Sequence, residues 1–257
     1  LGRPGGAEFP RQTAVAADVV FQTFRPGGVD RLGVGYEDVK AVNPDVVYVS
    51  LSGFGSEGPY RDRSAYDTVI QAYGGFAPAQ ADPQHRTPGF LRPTPADKVT
   101  ALYASQAVAA ALFARERGRG GQHIELAMTD AVVSFLWADA AANEVLMESA
   151  GSEPSSFVAG FKPMRFSDGW GIVTPTSDHD FHGMCRALRV EGWDDPRIAT
   201  IAERNQNRDV LEPVIDLCYA MAANMTMAEA TERFEAEGVP FAMILSPDEI
   251  TRDPHAV

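Results

Sequence analysis

Apolar residues fall into short runs separated by glycine- and proline-rich turns, and the runs alternate between two periods. DVVFQTF (18–24) and DVVYVSLSGFG (45–55) are near-continuous apolar stretches, as buried strands are, and HIELAM (123–128) is a third strand. Between them, YEDVKAVNP places a short helix before Pro44, and AYDTVIQAYGGF has helical spacing that ends at Gly74 and Gly75. Residues 77–95 read as a meandering connection. The longest helix is expected over Lys98–Arg117, closed by GRGG, and TDAVVSFLWADAAANEVLM is another helix. Past SAGSEPSS (149–156), which reads as a linker, MRFSDGWGIVTP has the form of a hairpin around Asp168-Gly169. HDFHGMCRALRV, RDVLEPVIDLCYAMA and TMAEATERFEAEG are helices, the last opened by a Thr226–Glu229 capping box. Strands alternating with helices predict a parallel α/β sheet in the first half, and the second half reads as a smaller α+β unit.

Composition narrows the function classes. The 257 residues are 45% hydrophobic, enough for a sizeable core, and 22 basic against 35 acidic side chains give a net charge of -13. That balance argues against nucleic acid as a partner, though a few local arginines could hold a phosphorylated ligand. Two cysteines, Cys185 and Cys218, are too few for a disulfide framework. With no apolar run of membrane-spanning length, the expectation is a soluble, cytoplasmic protein without membrane contact.

Several motifs could carry chemistry. Gly53-Phe54-Gly55-Ser56-Glu57-Gly58 matches the dinucleotide fingerprint in letters, but Pro59 and a charged turn stand where a helix must open. A structural glycine turn is the stronger reading. His179, His182 and Cys185 have helical spacing, but a structural zinc site wants four ligands, so a packed helix start is preferred and no metal is expected. Arg115, Arg117 and Arg119 suit a helix C-terminus better than a phosphate site. Arg25 and Arg31, in the loop TFRPGGVDRLG, are balanced between anion binding and plain surface. Asp97 is by composition a helix N-cap before it is a reagent.

SLSGFGSEGPY, AYDTVIQAYGG, PADKVTALYASQAVAAALFARERGRGGQHIELAMTDA and FRPGGVDRLG occur together and in order. This set resembles the class III coenzyme A transferases, whose fold is shared by the alpha-methylacyl-CoA racemases. The likeness extends through GVPFAMILSPDEITRDPHAV. It implies a Rossmann-like large domain (1–150), a small α+β domain (151–257) and two interlocked chains in a homodimer. It also implies that Asp97 is the catalytic carboxylate, and that Thr23, Phe24, Arg25, Arg31, Ala65, Tyr66, Asp67 and Ile70 lie along coenzyme A. Many members carry Asn at the position of Thr23. Members also have a strand–helix unit upstream and a return to the large domain downstream, so the sequence is expected to be partial.

The reaction implied is transfer of coenzyme A from an acyl-CoA to a carboxylic acid through an aspartyl intermediate, with a place in fatty acid metabolism. The alternative is racemisation at the α-carbon. Those racemases have histidine where this chain has Tyr66, and a phenol of ordinary pKa about 10 is a poor replacement near neutrality. Tyr66 is left evenly between lining the coenzyme and packing.

Overall fold

The computed structural model describes residues 8–81, 85, 87–140 and 161–256, and the chain divides into two compact units, 1–154 and 155–257. Among the described residues no helix is long and apolar enough to cross a membrane.

The first unit is built on three parallel strands in the order β1-β2-β3: Val19–Gln22, Val47–Ser52 and Gln122–Ala127. Val49 pairs with Phe21 on one side and Ile124 on the other. The two-residue period sends Val47, Val49 and Leu51 to one face, where Ala111, Val108 and Leu112 cover them. The opposite face carries Tyr48, Ser50 and Ser52 and is far more polar, lining an open cleft. Six helices accompany this sheet: α1 (Glu8–Ala14), α2 (Tyr36–Lys40), α3 (Asp67–Gly74), α4 (Phe76–Ala79), α5 (Pro95–Ala114) and α6 (Met128–Ala140). Ile70 of α3, Ala96 and Val99 of α5, and Ala131 and Val132 of α6 make one core cluster.

Several expectations shift on inspection. β1 is not buried as its apolar letters suggest, because Phe21 is half exposed on the sheet edge. α4 lies at the start of the segment read as a meander. The long helix opens at Pro95 rather than Lys98 and gives way at Arg115–Arg119 to a π-helical turn. The end of the last helix in the first half, and the linker at 149–156, fall outside the described residues.

The second unit holds an antiparallel sheet of β4 (Met164–Arg165), β5 (Trp170–Val173) and β6 (Phe241–Met243). The hairpin at Asp168-Gly169 closes with Phe166 N–H donating to Gly169 O at 3.0 Å. Around it stand α7 (Asp178–Leu188), α8 (Ile201–Gln206), α9 (Arg208–Ala222), α10 (Met227–Ala236) and α11 (Pro247–Ile250). Phe166, Leu188, Ile198 and Phe234 fill its core. Four of these helices start with reciprocal capping boxes, at Ser177–Asp180, Thr200–Glu203, Thr226–Glu229 and Ser246–Glu249.

The turn into β3 is the tightest backbone approach in the first unit. A Cβ at Gly121 would lie 2.4 Å from Val46 O and 2.7 Å from Pro44 O, and backbone cannot step aside. Arg115 locks the same corner, donating to the Asp18 carboxylate at 2.8 Å and to Asp45 O at 3.3 Å. Gly121→Ala is therefore expected to cost about 1–3 kcal/mol by overpacking, lowering the urea midpoint with an unchanged m-value.

Candidate functional site

The C-terminal ends of β1 and β2 open onto a cleft of about 210 Å³ lined by Thr23, Phe24, Arg25, Ala65 and Tyr66, together with Arg61, Arg63 and Ser64. Open parallel sheets take ligands at this end of their strands. The chain leaves β1 through a turn at Arg25-Pro26-Gly27-Gly28, where Gly28 N–H donates to Arg25 O at 2.9 Å. Proline presets the second position and Gly27, at φ 73°, meets the positive-φ requirement of the third. The Arg25 guanidinium donates to Ser64 Oγ at 2.5 Å and to Asp62 O at 3.4 Å, which ties this turn to the segment before α3.

Three arginines, Arg25, Arg61 and Arg63, thus line one small cleft, the Arg25 guanidinium held by Ser64 and Asp62 O and that of Arg63 lying 3.6 Å from the Tyr60 ring centre. Convergent cations of this kind suit phosphate or carboxylate groups. Arg61, Arg63 and Ser64 read in the sequence only as a polar turn; the two positive letters of RDRS carry no spacing rule. Arg31 sits in a 3-10 turn at Asp30–Leu32 with its guanidinium beside Gly27, and is not among the residues that line this cleft.

A larger cleft of about 710 Å³ adjoins it along the polar face of the sheet, sharing Phe24, Pro26, Ser52 and Arg61. Tyr48 forms part of its floor and donates its hydroxyl to Val34 O at 2.8 Å. Burial, with the charges of Asp30 and Asp38, pushes this phenol up to about 12, so it stays a donor. His123 stacks on Tyr36 at 4.4 Å and meets Ser50 Oγ at 2.9 Å.

Two aspartates, Asp67 at the opening of α3 and Asp97 in the first turn of α5, stand in opposite circumstances. Asp67 follows Tyr66 directly and is only 6% exposed. Its Oδ1 accepts the backbone N–H of Ala96 at 2.8 Å and of Asp97 at 3.2 Å, and its Oδ2 accepts Gln71 Nε2 at 2.5 Å. Gln71 in turn clasps Leu91, donating to its carbonyl and accepting its N–H, both at 3.0 Å. Asp67 is therefore the cap of α5, supplied from α3 rather than from the local chain. Thr94 stands at the N-cap position without a side-chain bond, and Pro95 begins the helix.

Asp97 is consequently not an N-cap. It lies in the first turn of α5, exposed, with no hydrogen-bond or ion-pair partner for its carboxylate among the described residues. Partial withdrawal from water raises its pKa above the ordinary 3.8; the Asp67 charge raises it further, and Lys98 opposes both. The two amides that would draw charge from Asp97 are already taken by Asp67. Tyr66, 77% exposed, lines the cleft at the opening of α3, whereas Ile70 is fully buried in the core and presents no surface to a ligand.

The other motifs resolve into structure. After Gly58 the chain turns through Ser64 and no helix opens until Asp67, so the glycine fingerprint lacks its helix. Gly53 instead gives β2 room against Ala65, where a Cβ would collide with the alanine methyl. His179 is largely solvated beside Asp180, His182 packs on Trp193 at 5.1 Å, and Cys185 is fully buried with its thiol pushed up by Cys218 and by burial. Gly118 and Gly120, at φ 77° and 72°, end the long helical run.

The whole chain, residues 1–257, matches the model of CoA-transferase family III. It is 30% identical to the acetyl-CoA:oxalate CoA-transferase of Acetobacter aceti, over 93% of this chain and 61% of that protein. It is 28% identical to the succinate–glutarate CoA-transferase of Agrobacterium fabrum, over 99% of this chain and 63% of that protein. The crystal structure of a CAIB/BAIF family protein from Brucella suis superposes with a TM-score of 0.81 at 30% identity, covering 99% of this chain and 67% of that one. The chain spans about 60% of the length of these curated relatives. The chain belongs to CoA-transferase family III.

Proposed function

We propose that this chain carries the coenzyme-binding cleft and the nucleophile of an enzyme that moves coenzyme A from an acyl-CoA to a carboxylic acid, with Asp97 as the nucleophile. The observation that carries this reading is the contrast between the two aspartates: Asp67, next to the cleft-lining Tyr66, is spent on three bonds, and Asp97, whose backbone amide Asp67 holds, is left exposed and unpartnered among the described residues. An ionised carboxylate without hydrogen-bond donors is a better nucleophile than a solvated or paired one, and an upward pKa shift acts in the same direction.

In the first step an Asp97 oxygen bonds to the thioester carbon, the carbon–sulfur bond breaks, and an acyl–aspartyl anhydride and CoA thiolate form. The thiolate then attacks the aspartyl carbon and expels the first carboxylate, leaving an aspartyl-CoA thioester. The acceptor carboxylate attacks that thioester and releases the thiolate, which attacks the acceptor's acyl carbon and frees Asp97. No proton changes hands. Arg25, Arg61 and Arg63 hold the phosphates of the coenzyme, with Thr23, Phe24 and Tyr66 along its path. Asp67 and Ile70 serve from behind, the first as the positioning residue for Asp97. Residues 1–150 and 151–257 act as large and small domains of an interlocked cytoplasmic homodimer. The relatives named above are CoA-transferases, and racemisation is not adopted.

Three outcomes follow. Acyl-CoA with hydroxylamine is expected to leave a hydroxamate on the Asp97 peptide by mass spectrometry, and Asp97→Ala to lose at least about 10³-fold in kcat without change in the circular dichroism spectrum; an unmodified peptide in active enzyme counts against the nucleophile. Asp67→Asn keeps an acceptor for the α5 amides but removes the neighbouring charge. The acid limb of the kcat profile should then move to lower pH, whereas a purely structural Asp67 would change the rate and leave the limb in place. Asp97→Asn is expected to raise the thermal midpoint at pH 7. The folded-state pKa of Asp97 lies above its unfolded value, so the ionised group costs stability at neutral pH; the gain closes as pH falls below the ordinary 3.8, where both states are protonated.

A further inference from the structure

Lys98 is the residue after Asp97, and the first turn of α5 brings its amine back to the helix opening. Its backbone N–H donates to Thr94 O at 3.3 Å, which closes that turn, and its Nζ donates to Thr94 Oγ1, also at 3.3 Å. Consecutive side chains in mid-helix do not face each other. Helical Cα–Cβ bonds lean toward the N-terminus, however, and beyond the first turn no earlier turn stands between side chains that do so. Asp97 and Lys98 therefore share one open end. Both are exposed, and the Lys98 charge is felt at the Asp97 carboxylate, where it opposes the upward pull of burial and of Asp67. Among the described residues the ammonium makes no ion pair, so one long hydrogen bond to a hydroxyl holds it. The sequence has two other lysines, and both stand in different surroundings: Lys40 ends α2 and lies 5.1 Å from the Tyr36 ring centre, and Lys162 precedes β4 in the second unit.

An amine in this place has a chemistry that the arginines of the neighbouring cleft lack. A guanidinium stays protonated, whereas a lysine can release its proton and act as a nucleophile. An acyl–carboxylate anhydride is a stronger acyl donor than the thioester that formed it. Holding amine and acyl group on one helix turn replaces a collision with an internal reaction, for which effective molarities reach about 10⁵ M or more in good geometry. We infer that Lys98 is an autoacylation site, taking the acyl group from the acyl–Asp97 anhydride. The inference rests on Asp97 being the nucleophile of the transfer reaction. The Lys98 ammonium first gives a proton to water. Its nitrogen then bonds to the acyl carbon, the bond from that carbon to the Asp97 oxygen breaks, and the electron pair leaves on the Asp97 carboxylate. The nitrogen gives up a second proton, Asp97 is regenerated, and the product is an Nε-acyl amide that a thiolate does not reverse. Acylation also removes the charge that opposes the upward shift at Asp97.

The test offers the protein acetyl-, butyryl- and succinyl-CoA and reads residues 97 and 98 separately by fragmentation mass spectrometry of a chymotryptic digest. Half of each sample is quenched in hydroxylamine, which converts an activated Asp97 to its hydroxamate and leaves an amide on Lys98 intact. With a donor that gives the Asp97 hydroxamate, Lys98 is expected to be acylated at least about tenfold faster than Lys40 or Lys162. Asp97→Asn keeps the size of the side chain and removes the nucleophile, and it should bring Lys98 down to the rate of the other two lysines. An Asp97 hydroxamate without faster acylation of Lys98 overturns the inference and leaves the transfer reading standing. Undiminished acylation of Lys98 in Asp97→Asn means direct attack on the thioester and overturns the inference as well. No hydroxamate with any of the three donors removes the transfer reading and the autoacylation together.

Discussion

One buried carboxylate organises the first unit around its candidate chemistry. Asp67 begins α3, yet its oxygens terminate α5 by accepting the amides of Ala96 and Asp97, and its second oxygen anchors Gln71. Each charge-assisted bond of this kind contributes on the order of 1.5–3 kcal/mol when both partners are withdrawn from water. The consequence goes beyond stability. By satisfying the helix end from outside, Asp67 leaves the Asp97 carboxylate with no capping role and no hydrogen-bond partner among the described residues.

The arrangement also separates two electrostatic tasks. Around the strand ends, Arg25, Arg61 and Arg63 provide positive charge in an acidic protein of net charge -13, and they do so from a turn fixed by Pro26 and Gly27. Asp97 lies off this cationic patch, so its carboxylate is not paired with a guanidinium. Pairing would hold it in place at the expense of nucleophilicity. In the proposed reaction this separation keeps phosphate recognition and acyl chemistry from neutralising each other.

Much of this plan was legible in the letters. The apolar runs at 18–24, 45–55 and 123–128 became the three parallel strands, and Thr226 with Glu229 marked its helix start correctly. Gly75, at φ 104°, ends α3 where the double glycine predicted. α5 starts three residues before the expected Lys98, because Pro95 at the first helical position is itself the start signal and Asp97 is no local cap. The true cap could not be read locally: Asp67 stands 30 residues away from Asp97, and only the folded chain brings them together. Arg61 and Arg63 are illegible for the same reason, since only the folded chain puts them in one cleft lining with Arg25. Phe21 misled in the opposite sense, because an apolar residue on an edge strand reads like a buried one.

The central claim is that an Asp97 oxygen enters a covalent bond with acyl carbon, and single-turnover oxygen tracing addresses it most directly. Enzyme is loaded with acyl-CoA and given one equivalent of acceptor acid labelled with ¹⁸O in its carboxylate. The bridging oxygen of the acceptor–aspartyl anhydride stays on the enzyme when the thiolate attacks the acceptor carbon. The peptide containing Asp97 is therefore expected to gain about 2 Da in a fraction of chains matching the turnover. Complete transfer of coenzyme A with no label in that peptide would mean that acceptor and acyl-CoA react directly, and the role assigned to Asp97 would be wrong.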